Sequence, residues 1–172
     1  MRKTFFSLTC IIAIIIFVTG CNPKKSTREI SNTLGVDLSG GIISQSVDSH
    51  GGFHGDGNTY LEMTFSDTEG ESIIEAIKVN EDWNTLPLTD NLNIALYGKE
   101  TPTGSYGPYV TYDDGKPIFP ILKNGYYFFI DRHSKSVDMK DDTELHNRHS
   151  YNFTITIYDT DNKTLHYCEF DT

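Results

Sequence analysis

The stretch NFTITIYDTDNKTLHYCEFD, residues 152–171, decides the fold. Phe153, Ile155 and Ile157 alternate with Thr154, Thr156 and Tyr158, the period of two that belongs to a strand. A two-residue turn at Asp161-Asn162 then pairs Ile157 with His166, Ile155 with Cys168 and Phe153 with Phe170. All six side chains fall on one face. A slip of one residue would turn the whole apolar set to the wrong side, so this register is strongly specified.

Working outward from this hairpin, Tyr126 to Arg132 (YYFFIDR) is a strongly apolar strand. Residues 133–148 between them are charged and read as an exposed loop. Toward the N-terminus, Ile43, Gln45 and Val47 alternate with polar neighbours, and Leu61, Met63 and Phe65 share one face of a second strand. Ser66-x-x-Glu69 and Thr68-x-x-Glu71 both offer capping boxes for a helix over about 69–79, with Ile73, Ile74, Ala76 and Ile77 on its apolar side. Trp83, Leu86, Pro87 and Leu88 form an irregular apolar run that closes one end of the core. Leu92, Ile94 and Leu96 alternate as a strand, although Leu88, Leu92 and Leu96 also fit a helix. Residues 98–125 are rich in Gly, Pro and Tyr, with turns at Asp114-Gly115 and Asn124-Gly125. The sum is a single α+β domain over 41–172, a mostly antiparallel sheet with one principal helix packed on it.

Composition agrees with a packed domain. The chain has 172 residues, 37% of them apolar, with ten Tyr and ten Phe, which argues against disorder. Its formal charge of −10 argues against nucleic acid or anionic lipid headgroups as the main electrostatic partner.

The first 20 residues carry an address. Arg2 and Lys3 precede a mostly apolar run from Phe5 to Val18, shorter than the roughly 20 residues of a bilayer-crossing helix. This is the pattern of a signal peptide. The run ends in Val18-Thr19-Gly20-Cys21, which resembles the lipobox of bacterial lipoproteins. That resemblance implies cleavage before Cys21, a diacylglycerol thioether on its sulfur, and a domain held on the extracytoplasmic side of the cell membrane. Palmitate-type acyl chains would supply the anchor. Asn22 follows, not the Asp that signals inner-membrane retention. Loss of Arg2 and Lys3 with the leader takes the formal charge from −10 to −12. Cys168 is then the only thiol left beside Cys21, which excludes an internal disulfide. Residues 22–40 read as a polar tether, within which Ser26-x-x-Glu29, Ile30, Leu34 and Gly35 spell a short helical turn that can dock on the domain. The stretches SHGGFHGDG, WNTLPL and NGYYFFIDRHS, with the C-terminal hairpin, also resemble small bacterial lipoproteins. No activity follows from that likeness.

Four places offer chemistry. The loop Asp48 to Asn58 holds His50, His54 and Asp56 on a glycine-rich backbone, and these three would supply ligands to a divalent metal such as zinc, with His133 or His149 as a fourth. An open position on that metal would make a hydrolase. Gly55-Asp56-Gly57 is a poor phosphate cradle, because a carboxylate sits where an anion would bind. At the strand ends, Asp131, Arg132 and His133 can meet Arg148 and His149, either as a binding site or as an ion pair that holds a loop. Tyr106, Tyr109 and Tyr112, with Phe119, Tyr126 and Tyr127, offer rigid contact area for a protein, peptide or glycan, or else fill a core. His166 and Cys168 resemble a Cys–His dyad only in spacing, since their face pairs with Ile155 and Ile157. The acidic groups Asp113-Asp114 and Asp138 to Glu144 lack the ligand pattern of a calcium loop, and no Gly-x-Ser-x-Gly elbow marks a serine nucleophile. Two readings remain: a lipid-anchored binding or interaction module without catalysis, and a metal-binding protein or metal-dependent hydrolase.

Overall fold

A computed structural model describes residues 26–51 and 55–172. In chain order it contains α1 (Thr27–Leu34), β1 (Ile42–Asp48), β2 (Gly57–Thr64), α2 (Asp67–Lys78), β3 (Trp83–Thr85) and α3 (Asp90–Tyr97). The small strands β4 (Lys99–Thr101) and β5 (Gly104–Tyr106) follow, then β6 (Gly125–Asp131), β7 (Asn152–Asp159) and β8 (Thr164–Asp171). Six strands form one sheet in the order β1-β2-β8-β7-β6-β3, and every neighbouring pair is antiparallel. The α+β architecture expected from the sequence is the one found.

The C-terminal hairpin occupies the middle of this sheet. Phe153 faces Phe170, Ile155 faces Cys168 and Ile157 faces His166, the register read from the alternation. The turn is wider than expected. Pairing ends at Asp159 and Thr164, leaving residues 160–163 as a four-residue connection. Asp159 accounts for the extra width: its carboxylate accepts from the Asp161 amide at 2.9 Å and the Asn162 side chain at 2.7 Å. These bonds stabilise an open turn that keeps the same strand alignment.

Because the hairpin is central, both of its faces are covered, and Thr154, Thr156 and Tyr158 are as buried as the isoleucines between them. One face packs α1 and α2. Ile30, Leu34, Val36 and Leu38 meet Ile73, Ile77, Trp83, Phe128, Tyr158, Leu165 and Tyr167 there. The opposite face carries Tyr60, Phe129, Phe153, Ile155, Ile157 and Cys168, and is covered by Leu92, Ala95 and Leu96 of α3 with Val110, Ile118 and Phe119. The long Gly/Pro/Tyr segment is therefore a lid of irregular chain where a second helix would otherwise lie. Its close docking shows at Gly107 (φ +61°), where an added Cβ would come within 2.3 Å of the Ile94 carbonyl oxygen.

Three local expectations need correction. Residues 90–97 form a helix, not a strand. Leu92, Ala95 and Leu96 at helical spacing are the buried set, Thr89 caps the first turn by accepting from the Leu92 amide, and Ile94 is only half-buried. The Trp83 run is partly regular, since Trp83, Asn84 and Thr85 pair with Phe128, Tyr127 and Tyr126. The polar tether ends earlier than residue 40. From Ser26 onward the chain is folded: both halves of the Ser26–Glu29 capping box form, Gly35 caps α1 in the left-handed conformation, and Leu34 and Leu38 are fully buried. Polar residues dominate this segment by count, but its apolar residues share one side, and that side decides.

Candidate functional site

Two of the residues singled out in the sequence, His50 and Arg132, converge on a third that was not. Asp171, at the end of β8, lies opposite Gly57 of β2 and Asn152 of β7. One of its carboxylate oxygens is 2.9 Å from Arg132 Nη1, and the other is 3.3 Å from His50 Nε2. His50 Nδ1 lies 2.8 Å from the Asp48 carboxylate. Both ring nitrogens can donate to carboxylates together only in the protonated imidazole. Arg132 is spent on the protein itself: Nε donates to the Thr154 hydroxyl, and Nη2 donates to the Phe153 carbonyl at 3.0 Å. The cluster thus ties the β1–β2 loop, β6, β7 and the end of β8 into one half-buried knot. It offers no free cation to an anionic ligand.

Among the described residues, the expected metal site is not assembled. His50 is engaged with Asp48 and Asp171, Asp56 is exposed, and His54 lies outside the described residues. Among the described residues, no group of three or more His, Cys, Asp or Glu side chains is placed to hold a metal ion. His133 serves its own turn, accepting from the Lys135 amide on Nδ1 and bonding Ser150 Oγ through Nε2 at 3.0 Å. His149 is exposed.

Of the two meanings weighed for the strand-end charges, Arg148 takes the structural one. It grips Asp131 with two parallel hydrogen bonds, both 2.8 Å, and the two side chains are only 12% and 4% exposed. The pair fastens the long 132–148 loop to the end of β6.

His166 and Cys168 are buried on the α3 face and do not form a dyad. Burial pushes the Cys168 thiol well above the usual range, and Asp171 and Glu169 add to that more than Arg132 offsets. A thiol held protonated is no nucleophile. His166 Nδ1 lies 2.8 Å from the Tyr60 hydroxyl. Burial holds its imidazolium below the ordinary histidine range, against the pull of Glu62 and Asp159. The unfolded chain takes up this proton near pH 6.5 and the folded chain only at lower pH, so folding is favoured above that window and penalised as pH falls through it. Urea titrations of His166→Gln between pH 7 and pH 5 are therefore expected to show a shallower loss of stability than the parent chain. An unchanged slope would contradict the assignment.

The tyrosines divide by burial. Tyr109 stacks on Tyr151 with ring centroids 4.8 Å apart and packs against the core, and Tyr112 accepts from the Gln45 side-chain amide at 2.9 Å. Tyr106 alone of the three stands out, 57% exposed, beside an apolar recess with Ile94, Lys99, Thr101 and His146.

The larger concavity lies further along the same segment. A cleft of about 500 Å³ opens between Leu86, Pro87 and Leu88 on one side and Ile121 and Leu122 on the other. Ile157 of the central hairpin lines it, and Asp90, Asn93 and Tyr97 of α3 add polar groups to its wall. The Tyr97 hydroxyl donates to the Pro120 carbonyl at 2.8 Å, fixing one lip to α3. Burial pushes that hydroxyl's pKa up to about 12, so it remains a donor at any ordinary pH. Ile121 at the rim is 80% exposed. The sequence reading had Leu86, Pro87 and Leu88 closing one end of the core, and Leu86 and Leu88 do pack half-buried against it. The signal that could have marked a cleft is Ile121-Leu122 between Pro120 and Lys123-Asn124, an apolar pair inside turn-forming residues.

No family model, curated protein or solved structure matches the chain. The functional argument therefore stands on the chemistry of these sites.

Proposed function

We propose that the protein is a lipid-anchored extracytoplasmic binding module, held to the cell membrane through Cys21, and that the cleft between residues 86–88 and 121–122 is its ligand seat. The observation that carries the binding reading is the cleft itself: apolar walls with Asp90, Asn93 and Tyr97 beside them. Ligand sites are concavities of this size with few, placed polar groups. One carboxylate and no cation among the lining residues favour an apolar ligand carrying an amine or another hydrogen-bond donor, such as an aromatic or aliphatic side chain of a peptide. The cell-membrane location rests on the Val18-Thr19-Gly20-Cys21 motif. Among the described residues, no helix is long and apolar enough to cross a membrane. Among the described residues, which do not include His54, no ligand set is assembled for the metal-dependent alternative.

Two measurements test this. The apolar amine dye N-phenyl-1-naphthylamine should bind saturably at one site with a rise in fluorescence, and Leu122→Ser should weaken it about tenfold through lost apolar contact. Unsaturable binding, or binding indifferent to Leu122, would remove the cleft from consideration. Radiolabelled fatty acid should enter the parent chain and not a Cys21→Ala variant. Label in the variant would end the lipoprotein reading.

A further inference from the structure

We infer that the surface around the first turn of α1 and the outer edge of β1 is the face that rests on the lipid bilayer. This depends on the reading of Cys21 as the lipidated residue, and it specifies which side of the domain meets the membrane.

Chain length makes the first argument. Ser26 caps α1 and already belongs to the folded domain, and only four residues separate it from Cys21. Five peptide steps span about 17 Å at full extension, so the surface around Ser26 stays within that distance of the anchor.

That surface carries aliphatic side chains where it meets the sheet edge. Ser26, Thr27 and Ile30 share a recess of about 270 Å³ with Ile43 and Leu61, whose polar lining is Ser46, Thr59 and the His50-bound Asp48. Ile43 is 51% exposed and Ile42, next to it on the outermost strand, 71%. Two aliphatic side chains beside an acyl anchor suit insertion at the headgroup boundary.

Charge supports the same orientation. Lys24, Lys25 and Arg28 follow Cys21 with no acidic residue before Glu29, in a chain whose formal charge is −10. Asp48 and Asp171 are paired with His50 and Arg132, while Glu29, which accepts at the α1 cap, keeps its charge and follows all three cations in the chain. Anionic headgroups would meet the cations nearest the anchor first. The apolar cleft beside β6 lies four strands away from β1, about 19 Å across the sheet, and faces other partners.

The test uses full-length protein purified from membranes and placed in phosphatidylcholine vesicles with and without phosphatidylglycerol. An environment-sensitive dye is attached through Ser44→Cys on β1 or Lys123→Cys beside the cleft, Cys168 being buried and Cys21 acylated. A headgroup-borne quencher should quench the dye at 44 several-fold more than at 123. The difference should shrink in Ile42→Ser/Ile43→Ser, and in Lys24→Glu/Lys25→Glu/Arg28→Glu when phosphatidylglycerol is present. The altered positions are surface or tether residues, and unchanged circular dichroism and melting would confirm that the variants fold. Equal quenching at both dyes overturns the inference and leaves the anchor intact. Shielding at 44 that persists in detergent, together with dimer in sedimentation, assigns the β1 edge to a second copy and also overturns it. A chain that carries no fatty acid overturns both the inference and the reading beneath it.

Discussion

Replacing Arg148 by alanine is expected to cost about 3–5 kcal/mol of folding stability, the range for leaving one member of a buried ion pair without its partner. Asp131 is nearly inaccessible, and both of its carboxylate oxygens accept from Arg148. Among the described residues, the one other hydrogen bond to its side chain comes from the His133 amide at 3.2 Å. Without the guanidinium, a carboxylate must either stay charged in the interior or take a proton, and both oppose folding. The pair's net worth is a separate quantity. Asp131→Leu combined with Arg148→Met should recover most of the loss, because hydrophobic substitutes avoid the desolvation that the ion pair itself suffers. Arg148→Lys should fall between, keeping the charge and losing the two-pronged geometry. Urea unfolding measures all three variants through the midpoint at constant slope. A loss below about 1 kcal/mol for Arg148→Ala would mean that the pair behaves as a solvated surface bridge.

Leu34→Ala is expected to cost about 2–5 kcal/mol, the range for emptying a well-packed aliphatic site. Leu34 is fully buried among Ile30, Leu38, Ile73, Ile77 and Trp83. Its carbonyl is held as well, accepting from the Trp83 indole at 2.9 Å and the Asn80 side chain at 3.2 Å. The result separates two views of residues 26–40. A loose tether would lose only a few tenths of a kcal/mol, whereas an integral helix loses core. Thermal and urea unfolding of the soluble portion, parent against variant, decides between them. The outcome bears on the proposed anchoring too, since a folded α1 would shorten the leash between a lipid on Cys21 and the domain.

How much was legible depended on whether the deciding interaction was local. The hairpin register was readable because alternation and turn chemistry act over neighbouring residues, and only the turn width escaped, set by one aspartate. The capping boxes at Ser26 and Ser66 were readable for the same reason, and both formed. The α3 segment was not. Leu88, Leu92 and Leu96 contain both a helical and an alternating pattern, and the choice fell to what the sheet face needed as cover. The Tyr-rich segment was likewise ambiguous, because an aromatic side chain looks the same in sequence whether it packs or projects. Of its three singled-out tyrosines, only Tyr106 projects.

The site illustrates the same limit more sharply. Asp171 carried no signal of its own, yet it joins His50 to Arg132. That meeting depends on β8 lying between β2 and β7, a pairing between segments about a hundred residues apart in the chain. The sequence by itself determined the α+β class, the hairpin register and the capping boxes at Ser26 and Ser66, and it holds the stretch Val18-Thr19-Gly20-Cys21 that resembles a lipobox. Each is written within a few residues, by side-chain period or by backbone hydrogen-bonding needs. Only the tertiary structure decided which charges are spent on one another, where the cleft opens and how deeply α1 is buried. Burial and partnership are properties of the whole packing, and no local pattern encodes them.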